Sequence, residues 1–286
     1  MKKLPLPTVR DEGFIDVLSE NQALLGTSYP HLKREITAVK RGYQDYLNNQ
    51  GNAWNIAPLK LSNNLEVALI KHYNSPPVSI TYLDKLRDSS ADVCPMCGGF
   101  HPTTLDHILP KDDYPAWSLY SKNLVPACGC NMKRGNALKG NTQGVRVLHP
   151  YFDTILNDRH LTCVITHAND FRWIRAKVSY VNLLHPDIAS IRYHTQNIIL
   201  KIGIEKWLRA EVNKLFEKPR TVIKTLPKRQ PISRNEIIDF ITDCLDDYDN
   251  EFGTPNNWHS IFIHGLLNAP HIHQWVVNKH NSKLTP

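Results

Sequence analysis

Nowhere in the 286-residue sequence do apolar residues run long enough to cross a bilayer, so there is no candidate α-helical span and no membrane role is expected. Two lysines open residues 1–10, but Pro5 and Pro7 stand where a leader would have its apolar core, so no signal peptide is expected and cytoplasmic residence is. Internal repeats and low-complexity tracts are missing as well. Acidic residues are absent between Asp113 and Asp153, whereas Lys122, Lys133, Arg134, Lys139 and Arg146 all fall in that window. A local positive field suited to phosphate is therefore expected there. What is present fits a folded chain: hydrophobic residues make up 41%, and 34 Lys and Arg against 27 Asp and Glu leave a formal charge of +7. That balance suits a polyanionic partner without proving one.

Apolar spacing at three and four residues makes the first part helical, with Phe14, Ile15 and Leu18, then Ile36, Val39, Tyr43, Tyr46 and Leu47. Residues 63–73 and 80–87 read as two further helices, parted by Ser75-Pro76-Pro77. Two short apolar runs, 105–109 and 123–126, read as a strand pair, and 132–139 as a helix stopped by Gly140. Residues 161–166 and 173–180 alternate like a hairpin, and beyond Pro186 helices are expected over 188–202, 205–216, 235–248, 258–267 and 272–277. Ser233 with Glu236 forms a capping-box pattern for the third of these. The expected fold is mainly α with a small α+β core, organised as residues 1–90, 91–147 and 148–286.

Six cysteines in a reducing compartment bind metal or lie buried more often than they pair. In Cys94-Pro95-Met96-Cys97-Gly98-Gly99 the two-residue gap lets both thiolates reach one tetrahedral ion, and the glycines permit the turn. Cys128-Gly129-Cys130 supplies a second pair, one residue shorter, with His101 the nearest substitute should one sulfur fall outside the sphere. A four-sulfur zinc site is the expectation. It would be structural, since protein ligands saturate the ion.

Between and after these pairs run Leu105-Asp106-His107-Ile108-Leu109-Pro110-Lys111, then Asn123-Leu124-Val125-Pro126-Ala127-Cys128, then Cys130-Asn131-Met132-Lys133-Arg134-Gly135-Asn136. In these pieces and their order the sequence resembles the HNH endonucleases, the zinc-knuckle branch of the ββα-metal nucleases, over about fifty residues. The resemblance implies that His107 is the general base, that Asp106 and Asn131 hold Mg²⁺ or Mn²⁺, and that Asn123 braces the loop positioning the histidine. Lys111, Lys133, Arg134 and Lys139 would meet DNA phosphates. The residue types suit hydrolysis of a phosphodiester, which needs an activated water and charge relief on the phosphate. Adjacent residues on a strand face opposite ways, so a strand end or a bulge is expected at Asp106 and His107.

Short words around Asp113-Tyr114-Pro115 and 148–153 also resemble the HNH subunits of Septu-type and retron-associated anti-phage systems, which implies a defence effector with an ATPase or other regulatory partner. Self-association is another route to restraint. The alternatives are a non-catalytic zinc-knuckle module that binds nucleic acid, and a nuclease directed at RNA. His271-x-His273, with His264 and His280 nearby, reads as surface histidine, and Trp173, Trp207, Trp258 and Trp275 as core.

Overall fold

The computed structural model describes residues 1–88, 92–99, 101–167 and 174–284. Helices α1 (Asp11–Glu20), α2 (His31–Asn48), α3 (Asn63–Asn74) and α4 (Tyr82–Asp88) come first. They bury Ile15, Leu18, Val39, Tyr43, Tyr46, Leu65 and Leu69, the apolar stripes legible in the spacing. Strands β1 (Thr104–His107) and β2 (Leu124–Ala127) then pair antiparallel, and the short helix α5 (Cys130–Arg134) follows. Strands β3 (Leu161–His167) and β4 (Ile174–Tyr180) form a second antiparallel pair, against which α7 (Ile204–Glu217) and α9 (Trp258–Leu267) pack. The other late helices are α6 (Ile188–His194), running on into a π turn at Thr195–Ile199, α8 (Glu236–Phe252) and α10 (Pro270–Ser282). The chain is thus mainly helical with two small sheets. Among the described residues no helix is long and apolar enough to cross a membrane.

Two hydrophobic clusters meet at β1 and β2. Leu105, Leu109 and Leu124 join the cluster built by the early helices, while Ile108, Val125 and Ala127 join the larger cluster of the C-terminal half. Alternation along the strands sends successive side chains to opposite sides, so this little sheet is gripped from both faces. The first residues of the chain belong to the larger cluster: the Met1 amino group donates to the Asn256 carbonyl at 2.8 Å and Lys2 N–H to Pro95 at 2.9 Å.

The Ser233 capping box forms as its spacing implies, with Ser233 N–H donating to the Glu236 carboxylate at 2.7 Å and Glu236 N–H to the Ser233 hydroxyl at 3.3 Å. The helix expected over 132–139 is corrected. It starts two residues earlier and ends at Gly135, which has φ +58°. Beyond it the chain turns back, with Gly140 N–H bonded to Val145 O and Val147 N–H to Leu138 O, both at 2.9 Å. The surface reading of the C-terminal histidines holds for His271, which is exposed, and is corrected for two others. His273 and His280 are buried, and their Nε2 atoms donate to the carbonyls of Leu266 (2.8 Å) and Gln230 (3.0 Å). Trp258 is core and Trp207 packs beside it, whereas Trp173 lies outside the described residues.

Candidate metal centre and the adjoining Asp-His site

The four cysteines converge. Cys94, Cys97, Cys128 and Cys130 are all buried, and their sulfurs lie within 4.8 Å of one another. Cys94 and Cys130 Sγ are 3.6 Å apart, Cys97 and Cys128 Sγ 3.5 Å. A tetrahedral zinc with Zn–S bonds of about 2.3 Å sets its sulfurs about 3.8 Å apart, so the donor set and its spacing fit such an ion. The shortened second pair reaches because Cys128 follows directly on β2 while Cys130 opens α5, so the chain turns between the two sulfurs. His101 is exposed and stands outside the cluster. Burial disfavours the charged Cys94 thiolate, but hydrogen bonds from the neighbouring thiols of Cys128 and Cys130 hold its pKa well below the ordinary thiol range.

The first knuckle is held tightly from outside. Gly98 has φ +71°, and a Cβ there would stand 2.1 Å from the Asn256 carbonyl, so both the turn and the approach demand glycine. Trp258 Nε1 donates to Cys97 O at 2.9 Å and His194 Nε2 to Met96 O at 2.6 Å. Leu148 N–H donates to His194 Nδ1 at 3.1 Å, so that ring is a neutral bridge between knuckle and core.

Asp106 and His107 end β1, and the register Asp106 to Val125 and His107 to Leu124 is unbroken. The expected irregularity is therefore a strand end and not a bulge. Asp106 is buried, and its Oδ1 takes Arg134 Nη2 at 3.0 Å while its Oδ2 has no hydrogen-bond partner. Burial raises its pKa, and the Arg134 charge offsets this only in part. The His107 ring packs edge-on to Tyr73 at 4.3 Å. Its Nε2 meets the Ser118 carbonyl at 3.0 Å. A carbonyl can only accept, so Nε2 carries the proton and Nδ1 keeps its lone pair. Burial lowers the His107 pKa to about 4.

Asn123 uses its whole amide. Oδ1 accepts from Leu109 N–H (2.8 Å) and the Tyr46 hydroxyl (3.0 Å), and Nδ2 donates to Leu109 O (3.1 Å) and Trp117 O (3.2 Å). It thus clamps both ends of the loop that leads to Ser118. Behind it stands a relay that the sequence did not suggest. His149 Nδ1 accepts from Tyr151 N–H at 3.2 Å, leaving Nε2–H to donate to the Tyr46 oxygen at 3.0 Å. Gly51, with φ +66°, makes room, since a Cβ there would be 2.5 Å from the His149 ring.

Asn131 lies on α5 and reaches the start of β1. Its Nδ2 donates to Thr104 Oγ1 at 2.9 Å and its Oδ1 accepts Met132 N–H at 2.6 Å. Thr104 shares a strand face with Asp106, whereas His107 points the other way and is about 10 Å further along at ~3.3 Å per residue. The fold therefore brings Asn131 to the Asp106 face and does not bring it to His107.

The basic window is also redistributed. Lys122 pairs with Asp11 at 2.5 Å, Arg146 with Asp153 at 2.6 Å, and Arg134 is buried on Asp106. Arg134 is thus not a surface phosphate contact. Lys139 is exposed but donates to Ala53 O at 3.2 Å and lies 4.8 Å over the Trp54 ring. Lys111 is 3.6 Å from Asp112, and Lys133 is the exposed cation of α5, with no ion pair among the described residues. Asp11, Asp106 and Asp153 thus neutralise three of the five cations in a window that itself holds no acid.

Burial also predicts a response to acid. The pKa values of His107, His194 and His259 fall to about 4 and that of His149 to about 3. An unfolded histidine takes its proton near pH 6.5, so their contribution to stability is complete above 6.5 and is lost as pH falls toward about 4. The urea midpoint should hold steady from pH 8 to about 6.5 and then drop, with protons taken up on unfolding. A flat midpoint across that acid range would contradict the buried neutral rings.

Among curated proteins the sequence is similar to protein ea31 of Escherichia phage lambda, 29% identical over 171 residues. The match takes in 54% of this chain and 57% of the phage protein, so the chain spans just over half the length of that relative. No protein-family model matches, and no solved structure does.

Proposed function

We propose that this protein is a metal-dependent endonuclease of the HNH type that hydrolyses DNA phosphodiester bonds. The observation that carries the reading is the succession at the end of β1 of a buried carboxylate oxygen without a partner, on Asp106, and a neutral imidazole, His107, on the opposite strand face, next to the strand-turn-helix segment that carries the second cysteine pair. The order strand, strand, helix from 104 to 134 supports it, as does the full use of Asn123 in bracing the loop. The four-cysteine site would pin the backbone and take no part in chemistry.

In this reading Nδ1 of His107 takes a proton from the attacking water, while the Ser118 carbonyl holds the ring in the tautomer that leaves Nδ1 unprotonated. Asp106 Oδ2, which has no partner, and Asn131 Oδ1, which here accepts Met132 N–H, are the oxygen donors that would hold Mg²⁺ or Mn²⁺. Such an ion would supply charge relief on the phosphate and on the departing 3′ oxygen. Lys133 is the exposed cation beside it.

One observation favours a second reading. Arg134 already gives Asp106 a partner, which is how a non-catalytic zinc-knuckle module would use that carboxylate. Plasmid nicking with added Mg²⁺ or Mn²⁺ separates the two. His107→Ala should lower the rate by roughly 10² to 10⁴-fold. Equal rates for parent and variant, or no nicking by either, would support the binding module, and cleavage confined to RNA would change the substrate.

A further inference from the structure

Two stretches of the chain contain no acidic residue at all: 218–235, which holds Lys218, Arg220, Lys224, Lys228, Arg229 and Arg234, and 252–286, which holds Lys279 and Lys283. They differ from the basic window around α5, where Lys122, Arg134 and Arg146 each pair with a carboxylate. Here the two stretches pack on each other. His280 Nε2 donates to Gln230 O at 3.0 Å, the Asn281 side chain bonds both Ile232 N–H and Ile232 O at 2.9 Å, and Lys283 Nζ donates to Glu217 O. Neither offers an acidic side chain to neutralise the other.

Of these cations Lys224 approaches Glu251 at 3.9 Å and Arg220 is turned onto Leu226 O. Lys218, Lys228, Arg229 and Lys283 are exposed, Lys279 is half-buried one turn before Lys283, and among the described residues none of the five forms an ion pair. Glu217, Glu236 and Glu251 are the acids that flank the two stretches in sequence. Fixed positive charges left without carboxylates across two packed elements make a surface for a polyanion.

We propose that this surface, where residues 218–229 meet the C-terminal end of α10, is a DNA-backbone contact separate from the Asp106-His107 site and made by Lys218, Lys228, Arg229, Lys279 and Lys283. It rests on the nuclease reading only for the choice of DNA as the polyanion. Backbone contacts of this kind hold a duplex without reading its sequence, and they release counterions on binding.

The test is fluorescence anisotropy of a short labelled duplex with the full chain, with no divalent cation added and salt varied. The triple variant Lys218→Glu/Lys228→Glu/Arg229→Glu should bind roughly tenfold or more weakly, with the log-log salt slope reduced by about 2 to 3. A control triple of equal charge change on exposed residues of and near α2, Arg34→Glu/Arg41→Glu/Lys60→Glu, should lose clearly less. Equal losses in the two triples, no loss in the first, or a parent chain that ignores duplex but binds phosphatidylserine vesicles would each overturn the proposal. A parent that binds duplex through this patch yet never nicks plasmid would remove the nuclease and keep the patch. Nicking that persists with unaltered binding in the first triple would do the reverse.

Discussion

A Cys97→Ala chain is expected to purify without zinc and to show no cooperative unfolding transition at 25 °C. The reason is the position of the four sulfurs inside the larger hydrophobic cluster, against Met1, Met96, Val125 and Ala127. Removing one donor leaves three thiols facing each other in a site shielded from water, where thiolate charge has no ion to meet. A structural zinc contributes on the order of 10 kcal/mol to folding, comparable with the whole net stability of a domain. Elemental analysis of the parent should give one zinc per chain. Cys163→Ala and Cys244→Ala supply the control, since both thiols are buried outside the cluster. These two should keep the metal and a sharp transition. Full metal content in Cys97→Ala would remove the four-sulfur site.

Arg134→Gln should cost about 3 to 5 kcal/mol, as expected when one member of a buried ion pair is deleted. The guanidinium and the Asp106 carboxylate have side-chain exposures of 2% and 10%, so water cannot replace the lost partner. Arg134 also donates to the carbonyls of His107 at 2.5 Å and Ile108 at 3.3 Å, and these would be left bare at the end of β1. Urea unfolding of three chains separates the causes. Adding Asp106→Asn to Arg134→Gln should restore part of the loss, because the raised Asp106 pKa marks the charge as the costly element. A double variant as unstable as the single one would trace the loss to the bared carbonyls instead. The same series bears on the proposed ion. If Asp106 accepts Mg²⁺ or Mn²⁺, either should stabilise Arg134→Gln more than the parent, where the arginine competes.

The helices with clear apolar stripes were legible because their periodicity is written in consecutive residues. α2 takes in the stripe from Ile36 to Leu47, α9 falls on its expected bounds, and the Ser233 capping box closes as its spacing implies. α5 was misjudged because Gly135, at positive φ, ends it before the apolar pattern does. The convergence of four cysteines was legible too, since a two-residue gap and a one-residue gap admit few geometries that a zinc would not suit. The Tyr46 and His149 relay was invisible: nothing in either segment marks the contact across 103 residues.

By itself the sequence determined which local pieces exist, the knuckle, the Asp-His strand end, the bracing Asn123 and the amphipathic helices, because each depends on residues a few positions apart. Only the tertiary structure decided where charge remains. Lys122, Arg134 and Arg146 look like one basic field along the chain, yet each meets a carboxylate brought from elsewhere, while the patch at 218–229 and α10 is left positive because two acid-free stretches pack together. Coulomb energy follows distance in space, and the chain supplies that distance only once it has folded.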